Sequence, residues 1–167
     1  MNTLHVRVFG IPAPAGSKTV LPTKAGTRLV DGNTNPARQS RATWRQDVVE
    51  AARRAIEANE WEMATGPVVL DVRLIVPRPK SLPARRRDGT IPQPITRPDA
   101  TKLLRATEDA LTVAGVWRDD SQVVTLWVRK VFAGADLLPG AVIRVTTCSE
   151  RVADPFDGDL GRAQDVP

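Results

Sequence analysis

The chain has 167 residues, 24 lysines and arginines against 19 acids, a formal net charge of +5 and a pI of 10.1. That is one domain's worth of material, enough to bury a sizeable core without disulfides or metals to hold it together. One cysteine, Cys148, excludes an intrachain bridge, no N-terminal stretch has a basic-then-apolar signal pattern, and no apolar run approaches the roughly 20 residues of a membrane span. A soluble, cytoplasmic protein is expected.

The charge is unevenly spread. From Glu150 onward five acids face two arginines, and that net of −3 leaves residues 1–149 carrying +8. A basic body attracts phosphate backbones through counterion release and long-range steering. The same excess also serves plain solubility, so charge alone does not choose between the two.

Leu4, Val6 and Val8 alternate with polar residues at period two, the pattern of a strand with one face buried. His5, the only histidine, falls on the other face and reads as a surface residue. Pro12, Pro14 and Gly16 break regular structure and place Ser17 and Lys18 at a loop tip. Val20, Leu21, Leu29 and Val30 flank residues 24–27, whose glycine predicts a hairpin, with Lys18, Lys24 and Arg28 on an exposed basic flap. Asn35 before Pro36 reads as a helix N-cap followed by proline at the first helical position. Trp44, Val48, Ala51, Ala52, Ala55 and Ile56 then recur at helical spacing, so this helix runs to about Asn59 with Arg38, Arg41 and Arg45 on another face. A solvated face is the simpler reading of those arginines and a phosphate contact the sharper one.

Residues 68–76 form a second alternating strand. Residues 77–98 then show several prolines, no periodicity and the cations Arg78, Lys80, Arg85, Arg86, Arg87 and Arg97. Structureless connections of this length are uncommon in compact domains, so the segment is either disordered or functional, and its charge suggests an arm that embraces nucleic acid. After Asp99, the stripe Ala100, Leu103, Leu104, Thr107, Ala110, Leu111 and Ala114 predicts a helix, with Thr101, Lys102, Arg105, Glu108 and Asp109 facing away. Asp119 and Asp120 follow in a turn, then strands over residues 123–132 and 141–147. Residues 150–167, rich in Asp, Gly and Pro, read as a mobile acidic tail. The expected fold is therefore α/β (α+β), one compact domain over residues 1–149 with two main helices on a mixed sheet.

Two carboxylate clusters at the ends of rigid elements, in a basic chain, suggest a metal-dependent enzyme acting on a polyanion. Phosphodiester hydrolysis needs an activated water and stabilised phosphoryl oxygens, and Mg²⁺ held by Asp99, Asp119 and Asp120 can supply both. A helix cap at Asp99 and a turn at Asp119 and Asp120 are the bland alternatives. A helix over residues 99–113 is about 22 Å long. The return over residues 114–120 covers at most about 23 Å. The clusters therefore meet within one chain only if the return runs antiparallel to the helix; otherwise a second subunit completes the site.

At Asp99, at Asp109, Ala110 and Leu111, and over residues 117–124 (Trp-Arg-Asp-Asp-Ser-Gln-Val-Val), the chain resembles the RusA family of Holliday-junction resolvases. That family shows D-x-D opening a helix, D-A-L on it, then aromatic-x-D-D-[AS]-Q-V-V. Weaker similarity reaches back through the Ser17 and Lys18 loop and the helix around Trp44 and Arg45, covering most of residues 1–148. The resemblance implies a RusA-like fold and a homodimeric, Mg²⁺-dependent endonuclease, Mn²⁺ being the alternative ion, of phage or prophage type. It would nick opposed strands of a four-way DNA junction symmetrically in recombination and repair. Asp99 and Asp120 carry over as metal ligands with Asp119 beside them. Lys18, Arg78, Lys80, Arg85, Arg86, Arg87, Arg97 and Lys102 are the DNA-contact candidates, and Val123 and Trp127 the interface candidates.

Two departures matter. Thr101 stands where the second acid of D-x-D belongs and offers only a neutral oxygen. Arg105 stands where the family commonly has lysine; it can hold a phosphate but does not readily lose a proton. Either Thr101 reaches the metal through water, or Asp119 or Glu108 substitutes, or the protein binds junctions and cuts them poorly. Glu108 lies roughly 10 Å from Thr101 along the axis, which favours Asp119. The rival reading is a basic dimeric DNA-binding protein without nuclease activity. No small-molecule cofactor is expected, since no G-x-x-x-x-G-K-[ST] loop is present.

Overall fold

A computed structural model describes residues 1–14, 18–23, 26–31, 35–85, 87 and 89–148, with the side chains of residues 18–42 outside that description. Its elements are β1 (Thr3–Phe9), β2 (Lys18–Thr23), β3 (Gly26–Asp31), α1 (Asn35–Ala58), β4 (Val68–Val76), α2 (Ala100–Ala114), a short 3₁₀ turn (Asp120–Gln122), β5 (Val123–Phe132) and β6 (Gly140–Thr147). This is the predicted order. Four strands form one mixed sheet, β1-β6-β4-β5, in which β6 runs antiparallel to both neighbours and β4 runs parallel to β5. Two helices pack on it, giving an α+β architecture.

The period-two pattern decides which sheet face is covered. Leu4, Val6 and Val8 of β1, Ile143 and Val145 of β6, and Leu70, Val72 and Leu74 of β4 are fully buried or nearly so. They join Trp44 and Val48 of α1 and Leu103 and Leu111 of α2 in one core. At about 25 cal/mol per Å² of apolar surface, this burial is the main favourable term holding the helices to the sheet. Gly140 begins β6 at φ 147°, and a Cβ there would drive into the Val8 carbonyl, so the β1–β6 pairing requires glycine at this position.

The parallel pairing of β4 and β5 needs a crossover, and residues 77–122 supply it as the proline-rich loop followed by α2. The loop is folded onto the sheet end: Pro92 and Pro94 are buried, and the Arg85 guanidinium donates to the Gly89 carbonyl at 3.0 Å. One expectation needs correction. Lys18 is not at a loop tip; it opens β2, paired with Asp31 at the far end of a hairpin that forms its own two-stranded sheet. The proline and glycine signals stop short of it, and the extended register of β3 draws the strand back to residue 18. Ser17, Lys24, Arg86 and the tail over residues 150–167 lie outside the described residues.

Candidate active site

The helix that carries the first acid ends where its sequence says it should. Gly115, at φ 86°, takes the left-handed conformation that terminates α2, and its N–H and that of Val116 return to Thr112 and Leu111 carbonyls at 3.1 Å. At the other end Asp99 occupies the N-cap position, yet its side chain makes no capping hydrogen bond. Its carboxylate instead lies 3.5 Å from Lys102 Nζ in an exposed pair. A carboxylate at a helix N-terminus, where the dipole favours negative charge, that makes no capping bond and only an exposed pair with lysine is open to a ligand.

The backbone just before Asp99 is held from the sheet. Lys130 Nζ donates to the carbonyls of Thr96 and Pro98, both at 2.8 Å. In the β4–β5 register Lys130 sits opposite Leu74, on the face covered by the helices, so its stem lies along apolar surface while its ammonium reaches the loop.

The second acidic group is fixed by Gln122. Its Oε1 accepts the N–H groups of Arg118 and Asp119 at 2.9 and 3.0 Å. Its Nε2 donates to the carbonyls of Ala64 and Gly66 at 3.0 and 2.8 Å. The amide is thereby engaged on both sides, accepting two bonds and donating two. Asp119 completes a reciprocal capping box by accepting from the Ser121 N–H at 2.9 Å. The Ser121 hydrogen bonds hold its carboxyl below the usual carboxylate range. Beneath the turn, buried Trp117 donates to Thr112 Oγ1 at 2.7 Å and Trp61 donates to the Val116 carbonyl at 3.0 Å, so the turn is anchored on α2 itself.

This anchoring leaves Asp120 on the first position of the 3₁₀ turn, close enough to Glu108 to act on it electrostatically. Burial pushes the Glu108 carboxyl up first; the charges of Asp120 and Asp109 push it further, and Arg105, one turn earlier, opposes them. Glu108 is half-buried, so it does not simply face away with Thr101, Lys102 and Arg105, which are exposed. The predicted carboxylates thus fall into two groups. Asp99 stands at the start of α2, while Asp120, with Asp119 next to it in the chain, lies near Glu108, nine residues and about 13 Å further along the helix. Among the described residues no three carboxylates, histidines or cysteines come together as a metal site.

As residue types the donors suit a hard divalent cation, though one chain keeps Asp99 apart from Asp120. Asp99 and Asp120 offer charged oxygens, Thr101 a neutral one, and Arg105 and Lys102 lie on the same exposed side of α2. Of the loop cations, Lys80, Arg85, Arg87 and Arg97 are exposed and Arg78 is half-buried; Arg78 and Arg85 line a groove of about 480 Å³ closed by Phe132 and residues 133–137. Gln122 and Lys130 escaped the sequence reading. The signal for Lys130 was available: it is the one cation in the Leu126, Val128, Lys130, Phe132 series that faces the helices.

The family model "Endodeoxyribonuclease RusA" matches residues 22–146. The uncharacterized protein YqaN of Bacillus subtilis (strain 168) is 35% identical over 74 residues, 41% of this chain and 51% of the relative. The chain thus spans about half the length of that curated relative.

Proposed function

Since the chain belongs to the RusA family of endodeoxyribonucleases, a family that resolves Holliday junctions, we propose that it is a Mg²⁺-dependent enzyme that resolves four-way DNA junctions by paired symmetric nicks. The observation that carries the reading is the acidic turn: Asp120 is held beside Glu108 by a four-bond Gln122 clamp, within the stretch the family model covers. Mn²⁺ is the alternative ion. The setting is the cytoplasm of a bacterial or phage-infected cell, in DNA recombination and repair.

Asp99 and Asp120 would hold the metal, with Asp119 beside them and Thr101 contributing a neutral oxygen. A bound divalent ion supplies charge neutralisation at the phosphoryl oxygens and activation of water. Arg105 and Lys102 bind and orient the scissile phosphate, Arg105 through its planar fork. Lys130 holds the backbone that presents Asp99, and Gln122 the backbone that presents Asp120. Lys80, Arg85, Arg87 and Arg97 grip the phosphates of an arm, and Lys18, Arg78 and Arg86 are the remaining candidates for backbone contact.

The separation of Asp99 from Asp120 supports a homodimer. Residues 115–119 link α2 to the 3₁₀ segment, and β5 then carries Lys130, ten residues beyond Asp120, to the backbone before Asp99, which keeps Asp120 at the opposite end of that strand from Asp99. A two-fold partner can bring the Asp99 end of one chain to the Asp120 end of the other and match the symmetry of a junction.

Thr101 favours a second reading, a dimeric junction-binding protein with weak or absent nuclease activity. Cleavage of a synthetic four-way junction against a linear duplex of the same sequence, in Mg²⁺ or EDTA, separates the two. The enzyme reading expects symmetric Mg²⁺-dependent nicks that vanish in Asp120→Asn and a faster rate in Thr101→Asp. Tight junction binding with no nicking in Mg²⁺ or Mn²⁺ would leave the binding-protein reading.

A further inference from the structure

Both helices lie on one face of the four-stranded sheet, and among the described residues no helix or strand covers the other. The strand registers assign its surface. Arg7 pairs with Val142, Val142 with Arg73, and Arg73 with Arg129, so these residues form one row across all four strands. The neighbouring row is His5, Arg144, Asp71 and Trp127. The two rows therefore carry four guanidiniums against one carboxylate.

That carboxylate is already engaged: Arg144 Nη2 donates to Asp71 Oδ2 at 3.0 Å. Arg7 is held in place by a 3.1 Å bond to the Leu138 carbonyl and by the Phe9 ring 4.9 Å from its Cζ, while its Nη1 is buried with no partner. Arg73 and Arg129 stand directly opposite one another on adjacent strands, and among the described residues neither has an acidic partner. Like charges in register on neighbouring strands destabilise a sheet. An anion laid across the row removes that repulsion.

We infer that this helix-free face is a second DNA-docking surface, on which the Arg7, Arg73 and Arg129 row grips the phosphate backbone of a duplex arm. The inference rests on the junction-resolving reading and adds a surface to it. The row spans three strand spacings, about 14 Å, enough to meet several charges of a duplex that carries one per about 1.7 Å of axis. Arginine suits the task, since its fork engages phosphate oxygens two at a time and stays charged. Trp127, half-exposed in the next row, gives the arm an apolar shoulder beside Arg129. A second copy of the chain fits poorly, because a two-fold axis would set one arginine row against another with Asp71 already paired. Since β5 starts directly after the 3₁₀ turn that carries Asp120, an arm on this face leads around the sheet edge toward the acidic turn.

The test measures binding of the full chain to a four-way junction and to a linear duplex between 50 and 200 mM salt. Three proteins are compared: the wild type, Arg73→Gln/Arg129→Gln, and Arg53→Gln/Arg54→Gln, which removes the same charge from the exposed face of α1. Two lost phosphate contacts should lower the slope of log K against log salt by about 1.8, so that over this range the wild type loses about tenfold more affinity than the sheet-face variant. The α1 variant should keep the wild-type slope, and circular dichroism should show all three folded. An unchanged slope in the sheet-face variant, or an equal drop in the α1 variant, overturns the docking face alone. A shift of the sheet-face variant's oligomeric mass also overturns it, giving the face to a second copy. A wild type that binds no DNA overturns both this inference and the reading beneath it.

Discussion

Replacing Gln122 by Glu probes the link between fold and site most sharply. The new side chain has nearly the same shape and still accepts the Arg118 and Asp119 N–H groups, but it has nothing to donate to the Ala64 and Gly66 carbonyls, which lie 3.0 and 2.8 Å from the amide nitrogen. Two donated bonds worth about 1 kcal/mol each are lost, and a carboxylate now faces two carbonyl oxygens, for a cost of roughly 2–3 kcal/mol at neutral pH. Because the Gly66 carbonyl is open to solvent, the lower end applies. For a chain of this size the midpoint of thermal unfolding should fall by roughly 4–8 °C. Repulsion by the carbonyls raises the introduced carboxyl's folded pKa, so the loss is largest at neutral pH and is partly recovered on acidification, when the group can donate once. Junction nicking should fall further than stability, because Asp120 moves with the turn. A midpoint within about 1 °C of wild type, with no change in its pH dependence, would refute the clamp.

Lys130→Met should release the Thr96 and Pro98 carbonyls and loosen the backbone before Asp99, costing about 2 kcal/mol and raising the Mg²⁺ concentration needed for half-maximal nicking about tenfold; a Mg²⁺ titration beside a melting curve reads both. Glu108 has a raised folded pKa, so the stability it contributes is fully present below its ordinary value of 4.5 and is lost as pH rises through the raised one. Glu108→Gln should therefore be more stable than wild type at neutral pH without divalent ions, the gap closing on acidification in urea melts. Asp119 behaves oppositely: its depressed pKa contributes stability above the ordinary 3.8 that fades as pH falls through the lower folded value, so Asp119→Asn should flatten the acid limb of unfolding. Gly140→Ala drives a Cβ into the Val8 carbonyl at a left-handed φ and should cost on the order of 3 kcal/mol, measured by urea unfolding.

The strands and helices were readable because each carries its own period. Leu70, Leu74 and their neighbours alternate, and Leu103, Thr107 and Leu111 recur by helical turns, so both sets point to one core. The acids were readable as residue types at the ends of elements. Their grouping was not, because the proximity of Asp120 to Glu108 depends on where α2 stops and on a glutamine reaching back to residues 64 and 66, nearly sixty positions earlier. Lys130 shows the same limit: its alternation marks a cation on a covered face, but only the fold shows that carbonyls of the preceding loop receive it. The row of arginines across the open sheet face depends on strand order, which local periodicity does not encode.

The parallel pairing of β4 with β5 also bears on how the molecule assembles and breathes. Val68 and Val123, paired in that ladder, are 55 residues apart, against 79 for Val68 and Thr147 in the β4–β6 ladder and 143 for Thr3 and Thr146 in the β1–β6 ladder. The β1–β6 ladder, the most distant in sequence, is therefore the most expensive to close and forms late, after β4 and β5 have paired. β5 is one of the two edge strands of the four-stranded sheet, bonded to β4 alone among the described residues as β1 is to β6. The acidic turn is therefore mounted at a sheet edge, with amide exchange in β5 expected to outpace that in β4 and β6.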